Sequence, residues 1–112
     1  MDQALERDLR DFVAYAQSLS DGFWRGGPSA AGKPRVSVDP SERKWAKIVL
    51  IEEGGDGHVY AFVDRGSGAI IEPQDWKSPA FFRRGLPVVV GNIHDKATWT
   101  RFDWYGPRHW GR

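Results

Sequence analysis

The sequence predicts an α+β domain: an N-terminal amphipathic helix packed on a small antiparallel sheet of about four strands, then an irregular, tryptophan-rich C-terminal segment. Three observations predict it. Apolar residues recur at helical spacing from Asp2 to Ser20, the period falls to two between Arg35 and Glu72, and glycine clusters separate the alternating runs. At 112 residues the chain suits a single domain, 1–112, large enough for one core and too small for several.

The helix is expected over residues 1–21. Leu5, Leu9, Phe12, Val13, Ala16 and Leu19 fall on one side of it, and Glu6 to Arg10 and Arg7 to Asp11 are opposite-charge pairs one turn apart. Asp21-Gly22 supplies a stop. So short a helix must bury its apolar stripe against something else. Residues 22–34, "GFWRGGPSAAGKP", break all periodicity and read as a flexible loop. Gly27 to Lys33 matches G-x-x-x-x-G-K, but a phosphate loop needs a strand before it, a helix after it and a hydroxyl after the lysine. Here a helix precedes, the alternating "RVSVD" follows, and Pro34 occupies the hydroxyl position.

Residues 35–72 read as an antiparallel meander. "RVSVD" alternates, Pro40-Ser41 turns, and "KIVLI" centres a longer strand. Glu53 to Gly57 forms a glycine-rich connection, and Arg65-Gly66-Ser67-Gly68 turns the chain again. In "VYAFVDRGSGAII" strict alternation puts Val59, Ala61 and Val63 on one face and Tyr60 and Phe62 on the other. Both faces are apolar, so the strand is expected to be central, with the helix over one face. The Tyr60/Phe62 face is left for the C-terminal third, a ligand, a host protein or a second copy of the chain.

The net charge of +1 hides a segregation. Residues 1–33 sum to −1, residues 34–72 to −2 and residues 73–112 to +4, and eight of the fifteen aromatic residues lie in that last third. Pro73, Pro79, Pro87 and Pro107 punctuate it; "LPVVVGNI" suggests one more strand, and the rest reads as irregular chain pinned by tryptophans.

Several ordered blocks, "RKWAKIV" at 43–49, "VYAFVDRGSGAII", "PQDWKSPA" at 73–80, Arg84-Gly85 and Gly91-Asn92-Ile93, resemble a family of small tailed-bacteriophage proteins over roughly residues 35–93. The shared pattern runs R-K-x-x-K-I, V-Y-x-F-V-D-x-x-T-G-D, K-P-x-x-W-x-x-P-A and R-G-N-I. This chain departs from it at Ala69, where the pattern is acidic, at Glu72, where lysine is usual, and in "LPVVV", which separates the last two blocks. The resemblance implies a phage gene product in the cytoplasm of an infected bacterium and transfers no catalytic residue.

Chemistry-bearing patterns narrow the function. The chain has no cysteine, so a disulfide framework and a thiolate zinc site are excluded. His58, His94 and His109 are scattered, and only His94-Asp95 sets a carboxylate beside an imidazole. No nucleophile or paired-carboxylate pattern accompanies them, so a non-enzymatic protein without cofactor or metal is expected. No segment has the length and apolarity to cross a bilayer, and the N-terminus lacks a leader pattern, so no membrane partner is expected. Binding single-stranded nucleic acid or a nucleotide needs aromatic faces and cations without a fixed motif. Trp76, Lys77, Arg83, Arg84, Trp99 and Arg101 supply that mixture and form the expected binding surface. The alternative is an inhibitor of a host protein that docks on an exposed Tyr60/Phe62 face, which could equally form a homodimer.

Overall fold

The computed structural model describes residues 3–23, 34–39, 44–51, 57–76 and 78–108. Helix α1 spans Gln3–Phe23, two residues past the expected stop. Phe23 holds this last turn by stacking on Trp104, with ring centroids 4.5 Å apart. Five strands follow: β1 (Arg35–Asp39), β2 (Trp45–Ile51), β3 (Gly57–Asp64), β4 (Ala69–Ile71) and β5 (Val89–Asn92), joined as one antiparallel sheet in chain order. A 3-10 helix (Lys96–Arg101) and a small hairpin, β6 (Phe102–Asp103) and β7 (Gly106–Pro107), complete the described residues. The α+β class and the helix-on-sheet arrangement are as the periodicity predicts. The sheet gains a fifth strand from "LPVVVGNI", and most of the expected loop at 22–34 lies outside the described residues.

The main core lies between α1 and the sheet. Leu5, Leu9, Phe12 and Ala16 of the helix meet Val36, Ile48, Leu50, Val63 and Ile70 of the strands. Phe12 is fully buried, and its ring meets those of Tyr60, Trp99 and Phe102 edge-on at centroid separations of 6.2, 5.3 and 5.1 Å. Burying one phenylalanine contributes roughly 1.5–3 kcal/mol, and each such edge-on pair roughly 0.5–1.5 kcal/mol beyond that. The C-terminal segment therefore divides. Its last part, from Ile93 onward, packs on the same face as the helix, while residues 72–88 cross the opposite face.

The alternation expected along β3 is broken at Tyr60. Ile48 pairs with Ala61 but Val49 pairs with Val59, so Tyr60 is the extra residue of a β-bulge. It turns inward with Ala61 and Val63, and Val59 joins Phe62 on the far face beside Ile71 and Trp45. Tyr60 donates its hydroxyl proton to the Asp103 carbonyl at 2.7 Å, which ties the C-terminal hairpin to the sheet. Both Tyr60 and Phe62 are completely buried, on opposite faces. The expectation that they share one exposed apolar face is corrected: neither presents a docking surface in this fold.

Candidate functional site

Between β4 and β5 the chain leaves the sheet for residues 72–88 and makes two lobes on one clamp. The Ala80 amide donates to the Glu72 carbonyl at 2.8 Å, the Val88 amide to the Ala80 carbonyl at 3.0 Å and the Glu72 amide to the Val88 carbonyl at 3.0 Å. Pro73 bridges Pro79 at the neck of the first lobe, and Phe81 bridges Pro87 at the neck of the second. Proline fits such isolated bridges because no continuing ladder there needs its missing N–H.

Each lobe has its own turn chemistry. In the first, the Asp75 carboxylate accepts from the Ser78 amide at 2.9 Å and from its hydroxyl at 3.2 Å, and Trp76 stands at the bend. In the second, the Phe82 amide donates to the Leu86 carbonyl and the Gly85 amide to the Phe82 carbonyl, both at 2.8 Å. Gly85 turns the tip at φ +84°, a conformation that costs a side-chain-bearing residue energy. Trp76, Phe81 and Phe82 are 49, 45 and 58% exposed, and Arg83 and Arg84 at the second tip are exposed too. Trp76 is seated from below: the buried Lys47 ammonium lies 4.5 Å from its ring centre and 3.7 Å from the Asp39 carboxylate. Phe81 leans on Trp45 at 6.3 Å.

Three of the six expected binding residues, Trp76, Arg83 and Arg84, therefore share this excursion. Lys77 lies outside the described residues. Trp99 is corrected to core: only 6% exposed, it packs on Phe12 and Tyr15, and its indole N–H donates to the Asn92 carbonyl at 3.2 Å. The Asp95 side chain caps the 3-10 helix by accepting from the Ala97 amide and so turns that indole inward. Arg101 stands on another element. Its guanidinium donates to the Val90 carbonyl at 3.4 Å beside Arg108, whose amide donates to the Arg101 carbonyl. Phe81 and Phe82, outside the expected set, also stand exposed on this excursion; they precede Arg-Arg-Gly in a stretch with no acidic side chain from Trp76 to His94.

A family model, described as a family of unknown function (DUF7717), matches residues 29–109. The chain belongs to this family. No curated protein and no solved structure matches the chain. The span matched to the DUF7717 family contains the whole sheet, both lobes and the C-terminal hairpin, and begins after α1.

The histidine–carboxylate pairing differs from the one adjacent in sequence. His94 Nδ1 donates to the Asp8 carboxylate at 2.5 Å across 86 positions of chain, while Asp95 serves as the helix cap. Hydrogen bonds from His94 first, then from Arg7, hold the Asp8 carboxyl below the usual carboxylate range. The pair ties α1 to the turn after β5. Among the described residues no group of three histidine or carboxylate side chains is placed to hold a metal ion, and no helix is long and apolar enough to cross a membrane.

Proposed function

We propose that this chain is a non-enzymatic, phage-encoded binding protein that holds single-stranded nucleic acid on the two lobes of residues 72–88, in the cytoplasm of the infected bacterium. One observation carries the reading: three half-exposed aromatic rings and two arginines are grouped on loops that the backbone clamps in place. Exposed rings of this size are unfavourable in water and gain roughly 1–3 kcal/mol each when a base stacks on them. Arginine contributes phosphate contact and stacking together. Clamping the lobes beforehand lowers the entropy lost on binding.

The small number of cations argues for single strands over duplex. The two arginines give a shallow salt dependence, a slope of roughly −1.4 in log K against log salt. The experiment is a titration of the full chain with short single-stranded DNA and RNA and with cyclic nucleotides at 50 mM to 200 mM salt, the conditions over which phosphate contacts are weakened. Salt-sensitive binding, weakened about tenfold by the double substitution Arg83→Ala/Arg84→Ala with the thermal transition unchanged, supports the reading. Absence of binding to all of these ligands would overturn it and favour a protein partner.

A further inference from the structure

Strand β3 begins at Gly57, but β4 pairs with it only at Phe62 and Val63, so among the described residues no strand is paired on that side with the β3 segment from Gly57 to Ala61, which β7 touches at Tyr60. Two adjoining cavities of about 290 and 340 Å3 fill the gap, and both are lined by His58, Val59 and Pro73. The first extends along Gln74 and Asp75 to Trp76; the second runs past Glu72 to Tyr105 and Pro107. The cleft therefore has an aromatic residue at each end and a strand for a floor. Its size falls at the lower end of small-molecule sites, roughly 300–1,000 Å3.

We propose that this cleft seats one unstacked nucleobase bearing an amino group, with the indole of Trp76 as its stacking wall. The assignment rests on the nucleic-acid reading and adds to it where a base goes and which bases are preferred. Three features select that ligand. The described lining includes the acidic residues Glu72 and Asp75 and no lysine or arginine, which disfavours phosphate and suits hydrogen-bond donors. His58 Nε2 lies 2.9 Å from the Tyr105 carbonyl, an acceptor, so Nε2 donates to it and the ring is fixed along the cleft. Adenine, cytosine and guanine present amino donors to such a rim; uracil and thymine have only an imino donor. Finally, the Lys47 ammonium beneath Trp76 already occupies the inner π-face, so a second cation on the outer face meets its repulsion while a neutral base does not. Phosphates would lie outside the cleft, on the arginines of the second lobe.

The test uses uncharged nucleosides, which isolate the cleft from the arginines. The full chain is titrated with adenosine, cytidine, guanosine and uridine while the indole N–H resonance of Trp76, assigned by its loss in Trp76→Ala, is followed by NMR. Expected are salt-independent shifts, with the three amino-bearing nucleosides bound at least about fivefold more tightly than uridine. Trp76→Ala should weaken nucleoside binding about tenfold, and Trp76→Phe should recover part of it. His58→Ala should weaken it as well, whereas Arg83→Ala/Arg84→Ala should leave it unchanged while weakening oligonucleotides. Oligonucleotide binding without nucleoside binding, or uridine bound as tightly as the others, overturns the cleft assignment and leaves the proposed function standing. Loss of oligonucleotide and nucleoside binding alike overturns both.

Discussion

The outer edge of the sheet is capped at one point by a side chain, and removing it measures what that cap contributes. Gln17, on α1, reaches β1 with both ends of its amide: its carbonyl oxygen accepts from the Val36 amide at 2.8 Å and its nitrogen donates to the Pro34 carbonyl at 3.1 Å. The side chain thus stands in for one peptide group of a neighbouring strand and blunts the edge at that point. Each bond is worth roughly 0.5–1.5 kcal/mol net, so the pair contributes about 1–3 kcal/mol. Gln17→Ala returns about 0.4 kcal/mol in helix propensity, which leaves a loss of about 0.6–2.6 kcal/mol. For a domain of this size that lowers Tm by roughly 3–10 °C. Urea unfolding with calorimetry checks both figures. A second variant separates the two bonds: Gln17→Glu keeps an acceptor for Val36 but faces the Pro34 carbonyl with a carboxylate, and it also loses the donation to Asp21 seen at 3.0 Å. That variant should be destabilised at neutral pH and recover as its carboxyl is protonated below about pH 4. A loss under about 0.3 kcal/mol for Gln17→Ala, or no pH dependence for Gln17→Glu, would refute the edge-closing argument.

Two further outcomes follow from the same geometry. The Asp8 carboxyl has a lowered folded-state pKa, so its bond to His94 contributes stability that is fully present above the ordinary carboxylate value of 3.8 and is lost as pH falls through the folded value. The stability difference between the native chain and Asp8→Asn, followed by urea unfolding from about pH 5 downward, should therefore shrink as the pH falls below about 4; a difference that grows below about pH 4 would contradict the assignment. At Gly106 the backbone has φ +137°, and an added Cβ would sit 3.0 Å from the Tyr60 carbonyl oxygen. Gly106→Ala should cost about 1–3 kcal/mol by thermal unfolding, because strain and backbone contact coincide there; a neutral substitution would show that the C-terminal hairpin does not bear on the β3 bulge.

The helix and the meander were legible because each carries its own period, but the period fails where no polar residue marks a face. In Val59 to Val63 every side chain is apolar, so a bulge at Tyr60 leaves no trace in the pattern, and the assignment of Tyr60 and Phe62 to one surface followed from an alternation that the backbone interrupts. The prolines of the last third were legible as breaks. What they could not convey is that Pro73, Pro79 and Pro87 sit at the necks of two lobes, because that depends on Glu72, Ala80 and Val88 meeting across sixteen residues. The tryptophans show the limit most clearly. Trp76 follows an Asp75 that caps Ser78 and leaves the indole out; Trp99 follows an Asp95 that caps a 3-10 helix and turns its indole in. Both lie near a lysine, so aromatic–basic interleaving could not separate them. The same closure of structure bears on where a partner can dock. Gln17 covers the β1 edge at Val36, and Thr98 and Trp99 satisfy the Asn92 amide and carbonyl at the β5 edge. With the edges blunted there and both faces of β3 packed, strand addition is disfavoured at those points. The half-exposed rings of the two lobes remain uncovered apolar surface, which is why the substitutions that test the proposed function fall at Trp76, Arg83 and Arg84.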